Sequence, residues 1–182
     1  MTDRYQGPIR LVLFDVDGVL TDGTLYIGEH GEVHKGFNVR DGLSVALLRA
    51  HGIKSGIISG KSSAALDQRI NQLGFDVAVT GQLEKTAAYA RITQELSLED
   101  SQVLFVGDDV VDLPLIGVVG QFYAPSDAHP LVLAKADHVV NAPGGRGVAR
   151  EVAEHLLSSG GLSAEQAYAP LLADWGGLHA AQ

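Results

Sequence analysis

Along the chain, short apolar runs rich in Val and Ile alternate with longer stretches in which apolar positions recur every three or four residues. Runs of the first kind mark strands buried on both faces, and the second marks helices with one buried side. The runs are Ile9 to Phe14, Ile53 to Ile58, Phe75 to Val79, Val103 to Val106 and His138 to Val140. Between Ser62 and Leu73, the residues Leu66, Ile70 and Leu73 fall at i, i+4 and i+7, while Asp67, Gln68, Asn71 and Gln72 lie elsewhere. That spacing predicts an amphipathic helix. Asp41 to Ala50, Leu83 to Leu96 and Val148 to Leu157 are predicted to be helical on similar grounds. The alternation predicts an α/β protein, a Rossmann-like doubly wound parallel sheet whose ligands gather outside the carboxyl ends of the strands.

One insertion breaks the rhythm. Thr24 to Ile27 and Glu32 to Asn38 read as two strands around Gly28-Glu29-His30-Gly31, a small β-hairpin insertion at about residues 24–38. It is too short to be a second domain. Residues 1–158 are expected to form the domain, and residues 159–182 a C-terminal tail with a short helix around Ala164 to Ala173.

Charge and composition then narrow the partners. Lys and Arg total 13 against 22 Asp and Glu, a formal net charge of −9 over 182 residues. Such a surface repels nucleic acid and anionic lipid, so neither is expected as a partner, and an anionic substrate must be met by local cations or a metal. No run approaches the ~18 apolar residues of a membrane span. The absence of Cys excludes disulfides, thiolate zinc sites and Cys nucleophiles. MTDRYQGPIR lacks the apolar core of a signal peptide, which makes a cytoplasmic location the expectation.

Four signals fall at or just beyond predicted strand ends. Asp15 and Asp17 follow the first strand in LVLFDVDGVLTDG, and a spacing of two puts both carboxylates on one side of an extended chain. Ser59 ends the second strand in GIISGK, Lys85 opens a helix in GQLEK, and Asp108, Asp109 and Asp112 follow the fourth strand in LFVGDDVVD. These parts suit phosphoryl transfer through an aspartyl-phosphate. A carboxylate is already ionised at neutral pH and attacks phosphorus without a base, provided its repulsion from the phosphate is cancelled. Mg²⁺ held by hard oxygen ligands does this, a nearby Lys and hydroxyl neutralise the remaining charge, and a second carboxyl two residues on serves the leaving group and then water.

Simpler readings compete for each part. DVDGVLTDG fails as a calcium loop, because Gly18 and Val19 stand at positions four and five, where Gly is required at six. Asp108 and Asp109 could cap the following helix, Ser59 could be a turn residue and Lys85 a solvated charge. The histidines form no HxH or HExxH pattern, so a histidine metal site is not expected. Gly144-Gly145-Arg146-Gly147 precedes a helix and is open to two readings, an anion-binding loop or a plain turn. Leu171, Leu172 and Trp175 read as a packing cluster.

With DxDGVLTDG, the ISG serine, the GQxxK lysine and GDDxxD in this order, the sequence resembles the haloacid dehalogenase superfamily of aspartate-nucleophile phosphatases. FNVRDG, GDDVVDLP, SDAHP, AKADHVV and GGRGVAREV are similar to the 3-deoxy-D-manno-octulosonate 8-phosphate phosphatase family within it, over roughly residues 8 to 157. The resemblance implies a haloacid dehalogenase fold with no cap domain, and a Mg²⁺-dependent phosphatase acting on a sugar-acid phosphate in lipopolysaccharide precursor synthesis. It implies Asp15 as nucleophile, Asp17 as acid and base, and Mg²⁺ on the Asp15 side chain, the Asp17 carbonyl and Asp108. Asp109 and Asp112 would be supporting acids, and Ser59 and Lys85 would hold the phosphoryl group. Substrate contacts would fall on Asn38, Arg40, Asp41, Gly42, Gly60, Lys61, Arg69 and Arg146, and the hairpins would join four copies into a homotetramer. Two positions depart from the family pattern: Ala46 stands five residues after the Asp of RDG, and Lys61 after ISG, where the family carries a basic residue and Arg respectively. A nonulosonate 9-phosphate phosphatase and a catalytically silent oligomeric scaffold are the alternatives.

Overall fold

The computed structural model describes residues 4–179. Six strands form one parallel sheet: β1 (Leu11–Phe14), β4 (Lys54–Ile58), β5 (Val77–Val79), β6 (Val103–Val106), β7 (Gln121–Ala124) and β8 (His138–Val139). Their spatial order is β5-β4-β1-β6-β7-β8. From β1 the chain builds outward through β4 and β5, then returns to the other side of β1 for β6. This reversal leaves a crevice at the carboxyl ends of the central strands. Register sharpens the point, since Phe14 stands level with Ile57 on one side and Val106 on the other. The residues that follow therefore emerge along one rim.

Successive side chains of a strand point to opposite faces, and the core divides accordingly. Val12, Phe14, Ile57, Leu104 and Val106 pack under α1 (Val39–Ala50), α2 (Ala64–Leu73), α5 (Val148–Ser159) and α6 (Ala164–His179). Leu11, Leu13, Ile58, Phe105 and Phe122 pack under α3 (Lys85–Leu96) and the short α4 (Pro130–Leu133). All four residues of β1 are fully buried.

Side-chain caps set the helix starts. Asn38 accepts the Arg40 amide at 2.9 Å and starts α1 two residues before the expected Asp41. Ser63 accepts the Leu66 amide at 3.3 Å, and α2 ends on Gly74 in the left-handed conformation. Strand β7 was not foreseen. QFYA is four residues between Gly120 and Pro125, too short to carry a pattern, and its pairing with β6 and β8 makes it a strand.

Beyond Ser159 the helix is longer than expected: α6 continues through Pro170 to His179. Ala167 and Leu171 enter the core, whereas Leu172 and Trp175 are exposed, which splits the expected packing cluster. His51 on the end of α1 joins this helix to the amino-terminal segment. Its Nδ1 accepts the Tyr5 amide at 3.0 Å, so its Nε2 carries the proton donated to the Ala167 carbonyl at 2.7 Å. Among the described residues, no helix is long and apolar enough to cross a membrane.

The insertion is a hairpin of β2 (Tyr26–Gly28) and β3 (Gly31–His34) around Glu29 and His30, shorter at both ends than expected. Its strands pack extensively only on each other. Tyr26, Ile27 and Val33 are about half exposed or more, which is unusual for three apolar residues on one small element.

Candidate active site

The chain leaves β1 at Phe14, and the next residue follows the face taken by Leu11 and Leu13, toward α3. Asp15 there meets Lys85, the first residue of α3, with Nζ 2.8 Å from its Oδ2. Its other oxygen accepts the Val16 amide at 2.7 Å. Lys85 is buried and also reaches Asp112 Oδ1 at 2.5 Å. Burial works against its ammonium, but the two carboxylates outweigh that and hold its pKa above the ordinary lysine value.

Asp112 organises the floor. Its Oδ2 accepts the amides of Asp108 at 3.0 Å and Asp109 at 3.3 Å, so both of its oxygens are engaged within the protein. Asp109 caps the 3₁₀ turn Val110–Leu115 through the Val110 amide at 2.7 Å, the capping role weighed for it from sequence. Asp108 is different, because its buried Oδ1 has no hydrogen-bond partner.

Asp15, Asp108 and Asp112 bring carboxylate oxygens within 4.8 Å of one another. Burial, with Asp15 and Asp112 beside it, pushes the Asp108 carboxyl up to about 8. Asp15 is pushed up to about 6, chiefly by burial, with Lys85 opposing the shift. Fully ionised, three carboxylates against one ammonium would carry two uncompensated negative charges, and without a cation the site avoids this by holding the Asp108 proton. An oxygen-only donor set with one buried unpartnered oxygen fits a hard divalent cation such as Mg²⁺. Gly18 makes room for this arrangement, since a Cβ there would fall 2.0 Å from Asp108 Oδ2.

Asp17 lies apart from this cluster. The alternation expected to align it with Asp15 ends with the strand at Phe14, and its carboxylate instead meets Lys35 and Thr21. Both donors converge on Oδ1. Asp17 nonetheless lines the same cavity of about 330 Å³ as Asp15, Ser59, Gly60, Lys61, Lys85, Asp108 and Asp109, with Leu83 and Val111 as an apolar rim. Ser59 is buried there, and its Oγ accepts the Lys61 amide at 3.2 Å, leaving its own proton to donate.

The remaining expected contacts lie outside this cavity. Arg69 lines a neighbouring recess of about 340 Å³ with Lys35, Phe37 and Gln72. Its guanidinium donates to the Asn38 carbonyl at 3.2 Å and to Gln72 at 3.0 Å, and stacks 5.7 Å from the Phe37 ring centre. Gly42 leaves space for it, with Arg69 Nη2 3.4 Å from where a Cβ would stand. Arg40 and Arg146 are exposed. Asp41 is buried at the start of α5, where its Oδ1 accepts the Arg150 amide at 3.1 Å. The Gly-rich loop before that helix therefore presents its amino end to an anion belonging to the protein itself. Gly144 and Gly145 amides are likewise taken, by Asp127 at 2.8 Å and the Val19 carbonyl at 3.0 Å.

Sequence reasoning missed Lys35, Gly18, Leu83 and Val111. Lys35 closes an otherwise exposed hairpin, where a lysine carries no signal of burial.

The haloacid dehalogenase-like hydrolase family model matches residues 34–120. The chain is 43% identical over 149 residues to 3-deoxy-D-manno-octulosonate 8-phosphate phosphatase of Yersinia pestis, a match spanning 82% of this chain and 80% of that protein. The solved structure of a Yersinia pestis 3-deoxy-D-manno-octulosonate 8-phosphate phosphatase superposes with a TM-score of 0.81 at 42% identity, covering 85% of this chain and 83% of that one. The Moraxella catarrhalis phosphatase of the same name, solved with magnesium ion, phosphate ion and KDO, gives 0.79 at 35% identity over 83% and 87% of the two chains. Likeness of this extent, joined to an aspartate cluster on the switch-point rim of the same fold, places the chain in the 3-deoxy-D-manno-octulosonate 8-phosphate phosphatase family of haloacid dehalogenase-like hydrolases, as a phosphoric monoester hydrolase.

Proposed function

We propose that this enzyme hydrolyses 3-deoxy-D-manno-octulosonate 8-phosphate through an aspartyl-phosphate on Asp15, with Mg²⁺ as cofactor. The observation that carries the reading is Asp15 clamped against Lys85 in the cavity, beside the unpartnered oxygen of Asp108. The relative from Moraxella catarrhalis, with its magnesium, phosphate and sugar acid, supports the substrate class.

An Asp15 oxygen forms a bond to phosphorus as the bond from phosphorus to the sugar oxygen breaks, and Asp17 gives that oxygen a proton. Water then attacks the phosphoryl group, Asp17 takes its proton, and Asp15 is released with inorganic phosphate. Lys85 and Ser59 hold phosphoryl oxygens. Asp15, Asp108 and the Asp17 carbonyl would hold the Mg²⁺, which supplies charge neutralisation at the phosphoryl group. Asp112 fixes Lys85 and the Asp108 backbone. Arg69 in the neighbouring recess is the cation for the sugar carboxylate. The two departures at Ala46 and Lys61 keep a nonulosonate 9-phosphate as the second substrate to test, because both remove the family's usual side chains near the sugar.

The exposed apolar residues of the hairpin support assembly into a homotetramer. The decisive assay is phosphate release from a panel of sugar phosphates with Mg²⁺, run on wild type and Asp15→Asn. Turnover should favour the octulosonate 8-phosphate and vanish in the folded variant. Asp15→Asn within about threefold of wild type, below ~1 kcal/mol in barrier, would overturn the mechanism.

A further inference from the structure

Lys35 follows β3 directly, on an element that packs on little but itself. A lysine in that position can reach water by a change of rotamer, and long charged side chains ordinarily do so. Here the side chain is only 1% exposed, and Nζ lies between Asp17 Oδ1 and Glu32 Oε1, the latter at 3.1 Å. An ammonium withdrawn from water is costly unless it is paired, so the pairing is what keeps Lys35 folded inward.

The geometry at Asp17 gives the pairing a use. Lys35 and the Thr21 hydroxyl both donate to Oδ1. Among the described residues, Oδ2 receives no hydrogen bond, while Asp17 lines the cavity that also holds Asp15, Ser59 and Lys85. One oxygen is held, and the other carries no protein donor among the described residues.

We propose that Lys35 is a positioning residue for the catalytic acid, holding Asp17 by Oδ1 so that Oδ2 meets the leaving oxygen, and thereby tying acid geometry to the hairpin. The proposal rests on the reading of Asp17 as acid and base. Lys35 touches neither the phosphoryl group nor Asp15, so its loss should affect proton delivery and spare phosphorus attack.

The leaving group separates the two. A sugar alkoxide needs a proton to depart, whereas p-nitrophenolate leaves without one, and kcat/KM reports the steps through phosphoenzyme formation in both cases. Lys35→Met should lower kcat/KM by about 10- to 100-fold both for the preferred sugar phosphate and for a hexose 6-phosphate, which has no carboxylate to meet the Arg69 recess that Lys35 also lines, and for p-nitrophenyl phosphate by no more than about threefold; a loss confined to the carboxylate-bearing sugar would overturn the proposal. Lys35→Arg should recover most of the difference. Equal losses on the sugar phosphates and p-nitrophenyl phosphate, or no loss on any of them, would overturn it too. Asp17→Asn is measured alongside: if it too fails to discriminate between the leaving groups, the acid assignment itself falls, independently of Lys35. Should Lys35→Met not fold, Glu32→Gln frees the lysine from its second anchor and should move the same ratio in the same direction. An unchanged ratio there rejects the proposal.

Discussion

At the scale of single residues, the site is governed by how many oxygens compete for few partners. Asp112 has both oxygens engaged, Asp15 shares Lys85 with it, and Asp108 keeps one oxygen free, so three acids of one type receive three different tasks. Environment makes that division, because the side chains are chemically identical. Gly18 shows how tight the packing is. It combines a φ of +86° with the near approach of Asp108, so Gly18→Ala carries both backbone strain and a clash with a carboxylate. We expect this variant to lose at least about tenfold in kcat with a smaller effect on phosphate affinity, because Asp108 is displaced and Lys85 is untouched. Steady-state kinetics with inorganic phosphate as inhibitor read both quantities, and wild-type kcat would show that Asp108 need not stand where it does.

Elements carry a second set of consequences. Asp41 falls in a family motif, yet its carboxylate receives the Arg150 amide at the start of α5. That makes Asp41→Ala a stability variant: we expect a loss of about 1–3 kcal/mol in urea unfolding, from a charged hydrogen bond and a helix cap, with KM nearly unchanged. A large rise in KM at unchanged stability would return Asp41 to the substrate. The hairpin is the opposite case, an element whose own core is too small to explain it. Among the described residues its apolar side chains stay about half exposed or more, and two short strands are marginal alone. On the proposed tetramer, Ile27→Asp should therefore shift the mass measured by light scattering toward the 19.2 kDa of one chain. An unchanged oligomer would assign assembly to another surface.

For the molecule as a whole, the buried acids couple metal, pH and stability. Burial raises Asp15 to about 6 and Asp108 to about 8, so the folded state binds their protons more tightly than the unfolded chain does. Without a cation, that preference favours folding at low pH and is lost as pH rises from about 4 through 8. On the proposed site Mg²⁺ would compete with those same protons, so the gain in Tm on adding it should grow between pH 5 and 8 and then level. At a hundredfold excess over Kd the gain corresponds to about 2.7 kcal/mol, or roughly 5–10 °C for a chain of this size. Calorimetry in EDTA and in Mg²⁺ across that range tests it, and a gain that shrinks toward pH 8 would remove the cation from these carboxylates.

The order of strands and helices was legible in the sequence because double-sided burial and helical period are local patterns, repeated over enough residues to stand above noise. Asp15, Ser59, Lys85 and Asp108 were legible for a related reason: each sits where an apolar run stops, or where a helix begins beside such a stop, and a parallel sheet brings those stops to one rim. Strand β7 was hidden, since four residues define no period and only two neighbouring strands give QFYA its conformation. The division of labour among Asp15, Asp108 and Asp112 was hidden too, as was the turning of Asp17 toward Lys35, for hydrogen-bond competition is settled by atoms from distant segments meeting at ångström range. Local pattern along the chain determined which residues arrive at the crevice, whereas the tertiary structure alone decided which oxygen each one has left to use, because that depends on partners no stretch of sequence contains.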